Sequence, residues 1–261
     1  MKIIHLSDLH LRINDTYIVF QDIVQKILKF KKTEKDLVVI ITGDILDDAK
    51  DALHCYALKE INSLKKVGIP VLIIPGNHDY GDSGGIDKKY VAPFKQTYFD
   101  DDTVVFPKVD VFGGIAFFGL DSMQSDYDGN HQIGAQGYID DKQLQELHNK
   151  FIDLTYKDLK KVVYLHHCPF TEYLSTIKHE DLKLRNSLAL KAVIAGNIDA
   201  LLCGHIHFKD KDNTIPTVFN GTWDIPRVYN AGSSTHSKNH FGFVRIIDLS
   251  KDPIDDTELK Q

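Results

Sequence analysis

Five short motifs hold most of the residues that could do chemistry: Asp8-Leu9-His10, Gly43-Asp44, Gly76-Asn77-His78-Asp79, His166-His167 and Gly204-His205-Ile206-His207. Together they offer carboxylate, imidazole and amide groups with no thiolate among them. Such a set suits borderline divalent ions such as Mn, Fe, Zn or Co, with Mg a further possibility. Asp8 and His10 are two residues apart, as are His205 and His207, so in extended backbone each pair would share a face. One Asp could bridge two ions while separate histidines complete each. Glycines before Asp44, Asn77 and His205 would permit tight turns and close backbone approach. Taken singly, each motif also has an ordinary reading: Asp-Leu-His as a helix cap, Gly-Asn as a turn, Gly-His-x-His as surface histidines. The conjunction is harder to explain that way, because every motif follows a predicted strand.

Those strands are short apolar runs rich in Val, Ile, Leu and Phe: Ile3 to Ser7, Leu37 to Thr42, Val71 to Ile74, Ile115 to Leu120, Val162 to His166 and Ala200 to Cys203. Between them lie segments of helical period, Tyr17 to Lys31, Ala49 to Lys66, Asp140 to Asp153 and Arg185 to Ala195. Strand–helix alternation predicts parallel pairing in an α/β layered core. In such sheets ligands bind beyond the carboxyl ends of the strands, so five strand ends would deliver their donors to one rim. After Cys203 the pattern changes to three successive strands, Thr214 to Asn220, Pro226 to Asn230 and Gly242 to Asp248. The charged tail from Lys251 to Gln261 is expected to fray.

Composition narrows the partners. Over 261 residues, 31 Lys and Arg stand against 37 Asp and Glu, a formal net charge of −6, and only four residues are Arg. A protein that grips nucleic-acid phosphates electrostatically is usually basic, so general nucleic-acid binding is not expected. Cys55, Cys168 and Cys203 form no close pair in sequence, which argues against a disulfide scaffold or a thiolate zinc finger. No apolar run is long enough for a membrane helix, and Met1 to Asp8 is too short and polar for a signal peptide. A reducing cytoplasm is the simplest expectation.

In this combination and order, the five motifs resemble the signature of the calcineurin-like metallophosphoesterases, over about residues 1–248. The resemblance implies a four-layer α-β-β-α sandwich of two mixed sheets, with a dinuclear metal site at the strand ends. The domain would span residues 1–249, with 250–261 as the tail. Carried over by position, Asp8, His10 and His207 would hold one metal ion, Asn77, His166 and His205 the other, and Asp44 would bridge them. The family's His-His-Pro-Pro pattern stands here as His166-His167-Cys168-Pro169, which points to His166 as the ligand and His167 as a packed neighbour. The implied reaction is attack of a metal-activated hydroxide on a small phosphate ester. His78 is the candidate general acid, with Asp79 expected to orient it.

No Arg follows Asp44 closely, unlike the protein Ser/Thr phosphatases. Phe118-Gly119-Leu120-Asp121-Ser122, Gly137-Tyr138-Ile139 and Gln143-Leu144 look like the branch containing class III cyclic-nucleotide phosphodiesterases. Asn230-Ala231-Gly232-Ser233-Ser234 reads as a turn beside the site. A repair-nuclease branch starts similarly but usually adds a capping region and a basic surface. The expectation is therefore a phosphodiesterase for a small substrate such as a cyclic nucleotide. The alternatives are a phosphomonoesterase of broad specificity and, less favoured, a non-catalytic scaffold. Arg12, His131 and His236 are candidate substrate contacts, with His240 in the same loop as His236; His54, His148 and His179 are expected at the surface. Cys168 and Cys203, close in sequence to the ligands, read as small packing residues.

Overall fold

The fold follows from strands buried on both faces, covered on one by helices and on the other by a second sheet. A computed structural model describes residues 1–49, 53–82, 85–124, 135–170, 182–207, 218–235, 244–250 and 256–258. Its first sheet contains β1 (Lys2–Leu6), β2 (Leu37–Ile41), β3 (Val71–Ile73), β11 (Arg245–Asp248) and β12 (Asp256–Glu258), in the order β12-β11-β1-β2-β3. The second contains β6 (Lys108–Phe112), β7 (Ile115–Gly119), β8 (Lys160–His167), β9 (Ala200–Gly204) and β10 (Arg227–Asn230), in the order β10-β9-β8-β7-β6. Both are mixed: β1, β2 and β3 run parallel, as do β7 to β10, while β6, β11 and β12 pair antiparallel. A hairpin of β4 (Gly81–Asp82) and β5 (Gly85–Ile86) stands apart.

Alternation along β1 and β2 sorts the core. Ile3, Val38 and Ile40 join the apolar cluster that includes Phe117, Val163 and Leu201 of the second sheet. Ile4, Leu6, Val39 and Ile41 point the other way, onto Phe20, Val24 and Ile27 of α1 (Thr16–Phe30) and Ala57, Ile61 and Leu64 of α2 (His54–Lys66). On the outer face of the second sheet, Leu144 and Leu147 of α4 (Asp141–Ile152) and Leu190 and Ile194 of α5 (Ser187–Ile194) complete the fourth layer. No helix of the described residues is long and apolar enough to cross a membrane.

The structure adds elements that the residue pattern did not announce. α3 (Val91–Phe99) carries Pro93 in its first turn, where a missing N–H costs nothing. β6 alternates Lys-Val-Asp-Val-Phe on an edge, partly exposed along its length. β12 pairs with β11 inside the tail that was expected to fray. The expected strand from Thr214 to Asn220 is described only from Val218, which makes a single bridge to Tyr229.

Candidate metal centre

Three parallel strands of the first sheet and two of the second end at the same rim. Beyond their ends the chain leaves strand geometry. Asp8, His10, Asp44 and His205 have φ of 51°, 40°, 52° and 71°. These are left-handed values that only Asn, Asp, His and Gly adopt with any frequency. The expectation that Asp8/His10 and His205/His207 share a face through extended backbone is therefore incorrect. The side chains are aimed by successive left-handed turns, which turn polar groups inward at the strand ends. Backbone bonds lock those turns, with Asp8 N donating to Gly43 O, His10 N to Asp44 O and Leu11 N to Ile45 O, each at 3.0 Å.

Glycines do what their positions suggested. A Cβ on Gly43 would lie 2.7 Å from Gly76 N and 2.8 Å from His166 Nδ1; one on Gly76 would overlap the Asp44 carboxylate. The segment Asn230 to Thr235 holds the other side. Ser7 N donates to Ser234 Oγ at 3.0 Å, Ser233 Oγ to Asp8 O at 2.8 Å, and Asn230 Nδ2 to Ile206 O at 3.1 Å. A turn beside the site, as read from sequence, is here a clamp on both histidine-bearing loops.

The donors gather in two groups. His207 Nε2 lies 2.8 Å from Asp8 Oδ1 and 3.2 Å from His10 Nε2. His166 Nε2 lies 3.0 Å from Asn77 Oδ1 and 3.1 Å from His205 Nδ1. Asp44 Oδ2 stands between the groups, 3.7 Å from His10 Nε2 and 3.4 Å from His166 Nε2. Ligand atoms bound at about 2.1 Å to one ion in octahedral or tetrahedral geometry sit about 3.0–3.4 Å apart, and four of these six spacings fall in that range. Carboxylates and imidazoles at this density, nearly all buried, fit a pair of cations better than they fit one another. Asp8, His10 and His207 could hold one ion, Asn77, His166 and His205 the other, with Asp44 shared.

Hydrogen bonds identify the available nitrogen of His166 and show that His167 has none to spare. His166 Nδ1 donates to Thr42 O at 2.7 Å, leaving Nε2 as the lone pair that faces Asp44 and Asn77. His167 has both nitrogens committed: Nε2 donates to Ala135 O at 3.0 Å and Nδ1 accepts from Ser122 Oγ at 2.8 Å. Its ring packs 4.4 Å from that of His205, so it supports the site without offering a ligand atom. Burial, together with His166, pushes the His167 pKa down to about 3 and keeps the ring neutral. Burial also opposes charge on His166, but its contact with Asp44 outweighs this and raises it to about 9, so a cation held through Nε2 would displace a proton there. Against burial, His207 likewise draws the Asp8 carboxyl below its ordinary range.

Asp79 departs from its expected part. Its carboxylate does not touch His78; it accepts from the backbone N–H of Ile45 (2.9 Å), Leu46 (3.2 Å) and Gly76 (2.9 Å). It thereby ties the Asp44 turn to the Asn77 turn. His78 is instead held through Nδ1, 2.7 Å from the carbonyl of Asp47, while its N–H donates to Asp44 Oδ1 at 2.9 Å. Sequence reasoning missed Asp47. Its carboxylate takes Arg12 by two nitrogens at 2.8 and 3.0 Å, and its Oδ1 lies 3.4 Å from His10 Nδ1. The contacts with His10 and Arg12 hold its carboxyl well below the usual range. Arg12 thus sits at the rim, paired and more than half exposed. His54, expected at the surface, is half-buried with Nδ1 3.1 Å from Tyr98 OH. His131, His179, His236 and His240 lie outside the described residues.

Residues 1–209 match the family model for the calcineurin-like phosphoesterases, and the chain belongs to that family. It is 24% identical over 220 residues to the 3′,5′-cyclic adenosine monophosphate phosphodiesterase CpdA of Escherichia coli, covering 79% of this chain and 70% of that one. It is 25% identical over 178 residues to the DNA double-strand break repair protein Mre11 of Methanococcus maripaludis, covering 60% of this chain and 46% of that one. The chain thus spans less than half of that repair protein's length. In fold it resembles a purple acid phosphatase from yellow lupin (Lupinus luteus) seeds, with a TM-score of 0.58 and 10% identity, covering 99% of this chain and 51% of that one.

Proposed function

We propose that this calcineurin-like phosphoesterase is a metal-dependent phosphodiesterase acting on a small substrate such as a cyclic nucleotide. The observation that carries the reading is the convergence of two donor groups on Asp44, whose Oδ2 lies within 3.7 Å of a histidine from each. The relative CpdA, aligned over most of both chains, supports a cyclic-nucleotide substrate. The net charge of −6 and the burial of Arg227 and Arg245, two of only four arginines, favour a small ester over a duplex. Cys55, Cys168 and Cys203, none of them in a disulfide among the described residues, fit a reducing cytoplasm.

Asp8, His10, Asp44, Asn77, His166, His205 and His207 would hold a pair of divalent ions, which when bound would supply an activated water and neutralise charge on the phosphoryl oxygens. The side chains contribute the rest. Asp44, Asp8 and Asn77 orient their oxygens into the rim, and the histidines present Nε2 of His10, His166 and His207 and Nδ1 of His205. His78 is half-buried beside His10, with Nδ1 fixed on the Asp47 carbonyl, so its Nε2 is the atom available to hand a proton to the departing alkoxide. Ser233, Ser234 and Asp79 hold the backbone that carries these groups.

The test is a panel of bis(p-nitrophenyl) phosphate, p-nitrophenyl phosphate and 3′,5′-cyclic AMP, each with Mn, Fe, Zn, Co and Mg in turn. Hydrolysis of the two diesters is expected. Activity on the monoester alone would refute the diesterase reading in favour of a phosphomonoesterase. His78→Ala should keep its metals and lose roughly 10²–10⁴-fold in rate on esters with alkyl leaving groups, with a smaller loss on p-nitrophenyl esters, which leave without a proton. Equal losses on both classes would remove His78 from proton transfer.

A further inference from the structure

We infer that Asp47 is a positioning residue that sets two histidines of the site at once, its carboxylate aiming His10 and its main-chain carbonyl aiming His78. This rests on His10 being a metal ligand and His78 the proton donor, as proposed above. The local fold puts Asp47 where both can be reached. Beyond β1 and β2 the chain segments continue side by side, with Leu11 N on Ile45 O at 3.0 Å and a parallel bridge from Leu11 to Leu46. The next residue along each segment is Arg12 on one and Asp47 on the other, and they form the two-nitrogen ion pair.

That ion pair leaves Asp47 Oδ1 3.4 Å from His10 Nδ1. This buried nitrogen makes no hydrogen bond, and the Asp47 carboxylate is the acceptor beside it. A proton held on Nδ1, on the side of this carboxylate, leaves the Nε2 lone pair facing Asp8, Asp44 and His207. A carboxylate behind a ligating histidine fixes its tautomer and raises its basicity, and losing one typically costs about 10–100-fold in metal affinity. The second contact is of another kind. A carbonyl oxygen only accepts, so the 2.7 Å contact with Asp47 O requires the proton on His78 Nδ1. The two rings meet edge to face at 4.7 Å, so one residue governs the orientation of adjoining parts of the site.

The two contacts separate on mutation, because side-chain substitution removes the carboxylate and spares the carbonyl. Manganese affinity of the protein, measured by chelator competition without substrate, should fall about 10–100-fold for one of two ions in Asp47→Ala. Asp47→Asn keeps an oxygen acceptor and should fall between wild type and Ala. At saturating manganese, both variants should keep the wild-type dependence of rate on leaving-group basicity, since the carbonyl behind His78 remains. Wild-type affinity for both ions in the two variants would overturn the inference. So would lowered melting temperature of the metal-free variants with affinity unchanged, which marks a purely structural part. Affinity is read without substrate, so a wild type that hydrolyses no ester would refute the proposed activity and leave this test intact.

Discussion

Substituting Gly204 by Ala tests whether the site depends on close approach of the two sheets. Gly204 ends β9, and a Cβ there would fall inside the envelope of Ser7 Oγ, 2.9 Å from Ser7 Cβ and 2.6 Å from Asp8 Oδ2. Elsewhere in a strand, Gly→Ala is favourable by about 0.5–1 kcal/mol. Here the neighbours are the fully buried Ser7 and Asp8, with Asp8 Oδ2 also held by His205 N at 2.9 Å. Relief requires a carboxylate displacement of about 0.5–1 Å, beyond the roughly 0.2 Å that coordination distances tolerate. Overpacking of this kind costs about 1–3 kcal/mol, which in a chain of this size lowers Tm by about 2–4 °C per kcal/mol. Thermal melting and metal content by mass spectrometry should both register the change. In a Ser7→Gly background the stability cost should shrink, because Ser7 Cβ and Oγ are gone, while the metal loss persists through Asp8. Wild-type Tm and metal content in Gly204→Ala would refute the close approach, and equal stability cost in both backgrounds would refute its assignment to Ser7.

Two further outcomes follow from buried carboxyls. Burial raises Asp121 to about 6, with Tyr80 OH 3.5 Å from Oδ2 and Met123 N donating to Oδ1 at 2.8 Å. An acid whose folded pKa exceeds its unfolded value adds stability below about pH 4 that is lost as pH rises through about 6. Asp121→Asn should therefore melt higher than wild type at pH 8, by up to about 2–3 kcal/mol in stability, and no higher at pH 4; a pH-independent difference would refute the assignment. Asp79→Ala strands three backbone donors and should cost about 2–4 kcal/mol by chemical denaturation. Its leaving-group dependence should stay wild type; a shift like that of His78→Ala would mean that Asp79 acts on His78 after all.

Much of this was legible because strand ends announce themselves. Runs such as Leu37–Ile41 and Ala200–Gly204 are apolar on both faces, as double coverage requires, and they stop at a glycine or a charged residue. The order of elements and the meeting of seven donors at one rim follow from that pattern. Less legible were features that depend on partners distant in sequence. β6 and β12 are edge strands whose pairing is set by β7 and β11, and their own residues carry little signal. Left-handed backbone at Asp8, His10, Asp44 and His205 has no glycine to betray it. Asp79 stands next to His78 in the chain, which suggested contact, yet a tight turn directs its carboxylate to amides of residues 45, 46 and 76. Asp47 looked like one more acidic residue in a loop, because Arg12 and His10 reach it only once β1 and β2 are side by side.

The same rim is where local preference and global fold disagree most. Four non-glycine residues with positive φ each cost on the order of 1–3 kcal/mol, and all four carry proposed ligand side chains. Asp8, Asp44 and Asp79 are buried together, and burial and Asp44 both raise the Asp79 carboxyl, to about 7. No apolar packing gain repays these terms at the site itself. They are borne by the sheet-to-sheet core beneath and by amide and hydroxyl clamps from residues 230–235. Asp8, His10, Asp44 and Asn77 follow strands of one sheet, and His166, His205 and His207 belong to the end of the other. A cation pair between them would relieve the carboxylate repulsion, use the imidazole lone pairs and join the two sheets across their seam. Strain of this kind, concentrated on donor residues and supported from outside, is the physical mark of a site shaped for its ions at the expense of stability without them.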